Sequence, residues 1–130
     1  MPLIRCATGD LVRLSHQSCS CGRAFPLIQN IEGRQDDYVI TTSGRWIGRL
    51  DLVFKGVSGL VEGQIIQEKL DLVRVLIVPA KDFTQNDENL LLHKLRERLG
   101  KEMKIVIQKV DFIPRTKRGK LKLVISKILA

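Results

Sequence analysis

Aromatic residues are scarce in this chain, with one Trp, one Tyr and four Phe among 130 residues. A surface that stacks the successive bases of single-stranded nucleic acid needs more rings than that, so this class of partner is disfavoured. Acidic residues are also short, 14 against 22 Lys and Arg, which leaves a net charge of +8. The imbalance suits an anionic partner, whether a nucleotide, a coenzyme, nucleic acid or an acidic protein. Cysteine is limited to Cys6, Cys19 and Cys21. An odd count with a Cys-x-Cys pair argues for a reducing, cytoplasmic setting over a disulfide framework. No apolar run approaches the roughly 20 residues of a spanning helix, so no membrane partner is expected. Arg5 and Asp10 interrupt the N-terminus before a signal peptide develops. By length the chain makes a single core, too small for an enzyme that must enclose two substrates and a nucleotide.

What is present is concentrated near the end, in Ile113-Pro114-Arg115-Thr116-Lys117-Arg118-Gly119-Lys120. Proline fixes the approach, Thr116 and Gly119 favour a tight turn, and Lys120 closes it with a mobile cation. A loop of this kind suits a phosphate, although a basic turn taken alone is ordinarily solvated surface. Basic residues recur from Lys94 onward, opposed only by Glu97, Glu102 and Asp111.

Earlier in the chain, residues 2–13 read as two strands about a Thr-Gly-Asp turn, with the Asp10 carboxylate available to a diol such as ribose. The segment from His16 through Cys19 and Cys21 offers half of a structural zinc site, which wants four ligands. Ile31 to Asp37 is a polar turn suited to a domain boundary or hinge. Tyr38 to Thr42 and Arg45 to Ile47 form a hairpin about Ser43-Gly44, and Leu50 to Val57 has the spacing of a short helix. Gly63 to Leu70 and Leu72 to Val78 pair as antiparallel strands around Asp71. A helix capped by Thr84 and Asp87 runs to Gly100, with Leu91, Leu92, Leu95 and Leu99 on one face. Lys104 to Val110 is a further strand, and Leu121 to Ile125 a last element. The whole predicts an α+β fold: a small antiparallel sheet with two helices on one face, preceded by a short β-hairpin segment.

Three stretches, Pro2 to Asp10, Gly33-Arg34-Gln35-Asp36-Asp37 and Pro114 to Lys120, resemble in order the last three signature motifs of the adenylate-forming superfamily. Within it the chain resembles phenylacetate-coenzyme A ligase and its capsular-polysaccharide-biosynthesis relatives, a branch that Cys19-Ser20-Cys21-Gly22-Arg23 also resembles. The resemblance implies that residues 1–35 end a nucleotide-binding N-terminal domain and residues 36–130 form a mobile C-terminal lid. It implies that Asp10 binds the ribose hydroxyls and Arg34 sits near the nucleotide. Asp36 is then the hinge, Gly44 belongs to the coenzyme's thiol channel, and Lys120 is the adenylation lysine. ATP and magnesium are the implied cofactors of the complete enzyme, and Cys19 and Cys21 supply half of a zinc site.

The expectation is therefore a C-terminal fragment of an ATP-dependent carboxylate–coenzyme A ligase. Its partners are a missing N-terminal adenylation domain, a carboxylic acid and coenzyme A, and the isolated chain is expected to be inactive. Surface left bare by that missing domain invites self-association into an oligomer. The alternative is a non-enzymatic basic module that binds nucleic acid or an acidic partner.

Overall fold

The computed structural model describes residues 4–34 and 37–128. The chain divides into two compact units, Met1–Gln35 and Asp36–Ala130.

The first unit is an antiparallel hairpin of β1 (Asp10–Ser15) and β2 (Leu27–Arg34), pairing Asp10 with Arg34 at one end and Ser15 with Leu27 at the other, with register shifts after Leu11 and after Arg13. Two predictions are corrected here. Residues 4–9 contain no strand, because Arg5 (φ 56°) and Gly9 (φ 74°) both take left-handed conformations that an extended ladder excludes. Ile31 to Arg34 is strand rather than polar turn, since its backbone pairs with β1. The hairpin buries little: Val12, Leu14, Ile28 and Ile31 are all exposed.

The second unit begins with a minimal hairpin, β3 (Val39–Ile40) and β4 (Trp46–Ile47). A four-stranded sheet follows, in the order β7-β6-β5-β8, built from β5 (Leu60–Lys69), β6 (Leu72–Pro79), β7 (Lys104–Lys109) and β8 (Val124–Ser126). The predicted antiparallel pair is β5 with β6. The other two pairings are parallel, β6 with β7 and β5 with β8, so the sheet is mixed. The reason is the crossover: α1 (Gln85–Leu99) lies between β6 and β7 and returns the chain to the end where β6 began.

Two helical segments were predicted, and only α1 is an α-helix. Leu50–Val53 is a single 3-10 turn. Arg49 enters it in a left-handed conformation, and Gly56 (φ 78°) and Gly59 (φ 67°) follow closely, so no second turn can form. Gly59 has no substitute, because a Cβ there would lie 2.8 Å from the backbone of Phe83. One core joins the pieces: Leu50 and Val53 from the 3-10 turn and Leu91, Leu95 and Leu99 from α1 pack with Ile65, Val73, Val75 and Ile77 of the central strands.

Helix α1 starts where the sequence says it should. The Thr84 hydroxyl accepts from the Asp87 amide, and the Asp87 carboxylate accepts from the Thr84 amide and hydroxyl at 2.8 and 2.7 Å. Those bonds to the ionised carboxylate hold the Asp87 pKa below its ordinary value. Replacing Thr84 by Ala is expected to lower unfolding free energy by about 1 kcal/mol in urea titrations. Because the folded Asp87 pKa is depressed, its contribution is present at neutral pH and fades as pH falls through the folded value. The stability difference between wild type and Thr84→Ala should therefore shrink on acidification below the ordinary carboxylate range.

Candidate functional site

In the first unit the two residues assigned to the nucleotide meet. Asp10 and Arg34 are directly opposed across β1 and β2, with Arg34 Nε 3.8 Å from Asp10 Oδ1. Both are substantially exposed, so the pair is loosely held and its outer atoms face solvent. The Asp10 amide donates to Thr8 Oγ1 at 3.3 Å.

Cys19 and Cys21 bracket a turn closed by Gly22 N–H donating to Cys19 O at 3.1 Å. Their sulfurs lie 2.9 Å apart. A tetrahedral zinc with Zn–S of about 2.3 Å holds two thiolates about 3.8 Å apart, so a small rotation of either side chain would admit one. Yet among the described residues no group of three or more His, Cys, Asp or Glu converges. The pair supplies two ligands and cannot close a structural site from the described residues. The hydrogen bond from Cys19, followed by the backbone at Arg23, lowers the Cys21 pKa below that of an ordinary thiol.

In the second unit the basic stretch forms a closed turn. Gly119 N–H donates to Thr116 O at 2.8 Å, Thr116 N–H to Lys120 O at 2.9 Å, and Lys120 N–H to Thr116 Oγ1 at 3.2 Å. Gly119 is left-handed (φ 75°), a conformation that glycine takes without strain. Arg115 pairs with Glu62 at the start of β5 and ties the approach of the loop to the sheet. Lys120 is exposed, and among the described residues its ammonium has no carboxylate or hydrogen-bond partner. Lys117 and Arg118 of the same turn are exposed as well, whereas cations further off are engaged: Lys104 with Asp71, Lys109 with Glu88 and Lys127 with Glu68.

Gly44 sits at the tip of the β3–β4 hairpin, also left-handed (φ 79°). Its N–H donates to Thr41 O at 2.9 Å, and the buried Thr41 hydroxyl lies 2.9 Å from Ser43 Oγ and accepts from Arg45 N–H at 3.1 Å. Thr42 donates to Glu102, just past α1, at 2.8 Å. Beside this turn is a cavity of about 300 Å³ that Thr41, Thr42 and Ser43 line together with Leu99, Gly100 and Lys101.

The Lys120 loop and the Gly44 turn lie at opposite ends of β5. Glu62 holds the first, and Gln67 contacts the strand leading to the second. Five residues of strand separate these anchors, about 17 Å. Asp36, assigned as the hinge, lies outside the described residues. Residue-by-residue reasoning missed Glu62, Gln64 and Gln67, for which the available signal was a strand whose apolar residues Ile65 and Ile66 are flanked by glutamines.

This geometry, a small mixed sheet with a free lysine on a tight basic turn, has the form of the small domain of acyl-coenzyme A ligases. 2-Hydroxyisobutyryl-CoA ligase in its postadenylation state, in complex with 2-HIB-AMP, superposes with a TM-score of 0.57 at 26% identity, covering 97% of this chain and 29% of that one. Apo MatB from Rhodopseudomonas palustris gives 0.53 at 31% identity, over 88% of this chain and 22% of that one. Phenylacetate-coenzyme A ligase of Thermus thermophilus is 30% identical, over 97% of this chain and 34% of its own length. Residues 39–127 match the CapK C-terminal domain, and the chain belongs to that family. It spans about a third or less of the length of each of these relatives. Among the described residues no helix is long and apolar enough to cross a membrane.

The Cys19–Cys21 contact has a direct readout. Alkylation of Cys21 by iodoacetamide at neutral pH, followed by peptide mass spectrometry, should slow severalfold in Cys19→Ala, because the bond that stabilises the Cys21 thiolate is lost.

Proposed function

We propose that this chain is the C-terminal portion of an ATP-dependent carboxylate–coenzyme A ligase of the phenylacetate-coenzyme A ligase type, and that residues 36–130 act as its mobile lid. The observation that carries the reading is the hydrogen-bonded basic turn that ends in Lys120, tied to β5 through Glu62, while the strand leading to the Gly44 turn is tied to β5 through Gln67, about 17 Å further along it.

In the first half-reaction a carboxylate oxygen attacks the α-phosphorus of ATP, the bond to pyrophosphate breaks, and an acyl-adenylate forms. Negative charge on the carboxylate and the phosphate oxygens is drawn together as they meet. A single lysine between them stabilises that arrangement more than the separated reactants, which accelerates the step and not merely binding. Asp10 accepts hydrogen bonds from the ribose hydroxyls, and Arg34 across the ladder adds a cation on the nucleotide side. In the second half-reaction the coenzyme A sulfur attacks the acyl carbon and AMP leaves. Gly44 lines the path of the thiol, where a side chain would obstruct it.

One reaction centre cannot be served at once by two loops at opposite ends of a strand. The lid therefore turns between half-reactions about Asp36, withdrawing Lys120 and presenting Gly44. The remaining parts belong to an adenylation domain: the acid pocket, the polyphosphate loop and the carboxylates for magnesium, which when bound offsets polyphosphate charge. That domain also completes any zinc site begun by Cys19 and Cys21.

The test joins the chain to the adenylation domain of a phenylacetate-coenzyme A ligase relative and measures both half-reactions. Lys120→Ala is expected to slow carboxylate-dependent pyrophosphate exchange by about a hundred- to a thousandfold. Thioester formation from preformed acyl-adenylate should stay close to wild type. The 130-residue chain alone should support no exchange. Exchange by the chain alone, or an equal loss in both half-reactions, would overturn the assignment.

A further inference from the structure

Strand β5 carries two glutamines that the chemistry above leaves without a role. Gln67 is fully buried and Gln64 is 4% exposed. Neither is an idle core residue, because each spends its amide on the backbone of a segment that leads to one of the two loops. Gln67 Oε1 accepts from Ile40 N–H at 2.9 Å and Gln67 Nε2 donates to Ile40 O at 2.6 Å, with Ser126 Oγ a further 3.4 Å donor to Oε1. The side chain thus stands in for a strand neighbour of β3, offering one acceptor and one donor to a single residue as a ladder would. Ile40 is followed at once by the Thr41–Arg45 turn that holds Gly44. Gln64 Nε2 donates to Lys122 O at 2.7 Å, two residues beyond Lys120, and the neighbouring Ile65 N–H donates to Leu123 O at 2.8 Å.

We infer that Gln64 and Gln67 are positioning residues, Gln64 setting the Lys120 loop and Gln67 the Gly44 turn, each independently of the other. The functional sense of the pair rests on the reading of those loops as serving separate half-reactions. The physical basis is burial. A buried amide has no water to fall back on, so its partner is held to one place at a cost that an exposed contact such as Arg115–Glu62 cannot match. Being three residues apart, the two side chains leave β5 on opposite faces and do not share a partner.

Amide hydrogen exchange of the 130-residue chain by NMR tests this. Methionine keeps the length of glutamine and removes its hydrogen bonds. Gln67→Met should accelerate exchange at Ile40, Thr41 and Gly44 by about tenfold or more, as expected for a lost buried bond, and leave Thr116 and Gly119 unchanged. Gln64→Met should do the reverse. A merely structural role would instead speed all slow amides together, including Val73 and Val75 in the core, and that outcome overturns the inference, as does no change at either loop. If the variants do not fold, the wild type decides. Scalar couplings across the hydrogen bonds from Gln67 Nε2 to the Ile40 carbonyl and from Gln64 Nε2 to the Lys122 carbonyl sustain it, and their absence overturns it. A ligase assay in which Lys120 proved inert would sink the functional reading and leave this exchange pattern as it is, so the two fail separately.

Discussion

Everything in the second unit that bears on function hangs from β5. Its edges are satisfied by backbone pairing, antiparallel to β6 on one side and parallel to β8 on the other. Its side chains then do what pairing alone could not. The β3–β4 hairpin has two residues in each strand, far too few to stand by itself. Val39 anchors it by burial and Gln67 fixes its register, with Thr42 to Glu102 as an outer tie. Leaving the Gln67 amide unpaired in the core would cost about 1–3 kcal/mol, a sizeable part of the stability of a domain this small. The hairpin is consequently held in place by the same energy that holds the core.

The consequence is that the Lys120 loop and the Gly44 turn are both tied to one sheet, which is what the proposed lid requires. On that reading, a lysine that sits between two anions in one state and is absent in the next cannot rely on local flexibility, because disorder would cost the preorganisation that makes its charge effective. Under the proposed function, a sheet that carries Lys120 in and out as a unit meets both demands. The charge distribution agrees. Of the many cations that crowd the last third of the sequence, Lys104, Lys109, Arg115 and Lys127 are matched by carboxylates of the fold. The apparent basic run is thereby partly neutralised, and Lys120 is set apart from the cations that remain by its place at the close of a hydrogen-bonded turn.

Much of this was legible in the chain, and the parts that were not share a physical cause. Strands β5 and β6 and helix α1 carry their own signals: a long apolar run, a capping box at Thr84 and a glycine stop at Gly100. These are local, and local signals survive without knowledge of the rest of the fold. The basic turn was equally readable, since Thr116, Gly119 and Lys120 make their bonds to one another. What escaped was non-local. Nothing near Leu27–Arg34 announces a strand, because its partner β1 lies beyond an intervening turn and the pairing is made by backbone atoms that every sequence has. The parallel pairings of β7 and β8 depend on where a crossover lands, which no stretch of strand encodes. Gln64 and Gln67 are the sharpest case. Polar residues on a central strand read as flaws in its apolar pattern, and their meaning appears only when Lys122 and Ile40, 58 and 27 residues away, arrive to be bonded. A buried amide is costly to a fold unless something distant needs it. A glutamine that interrupts a strong strand is therefore a reason to ask which backbone group it has been kept to hold.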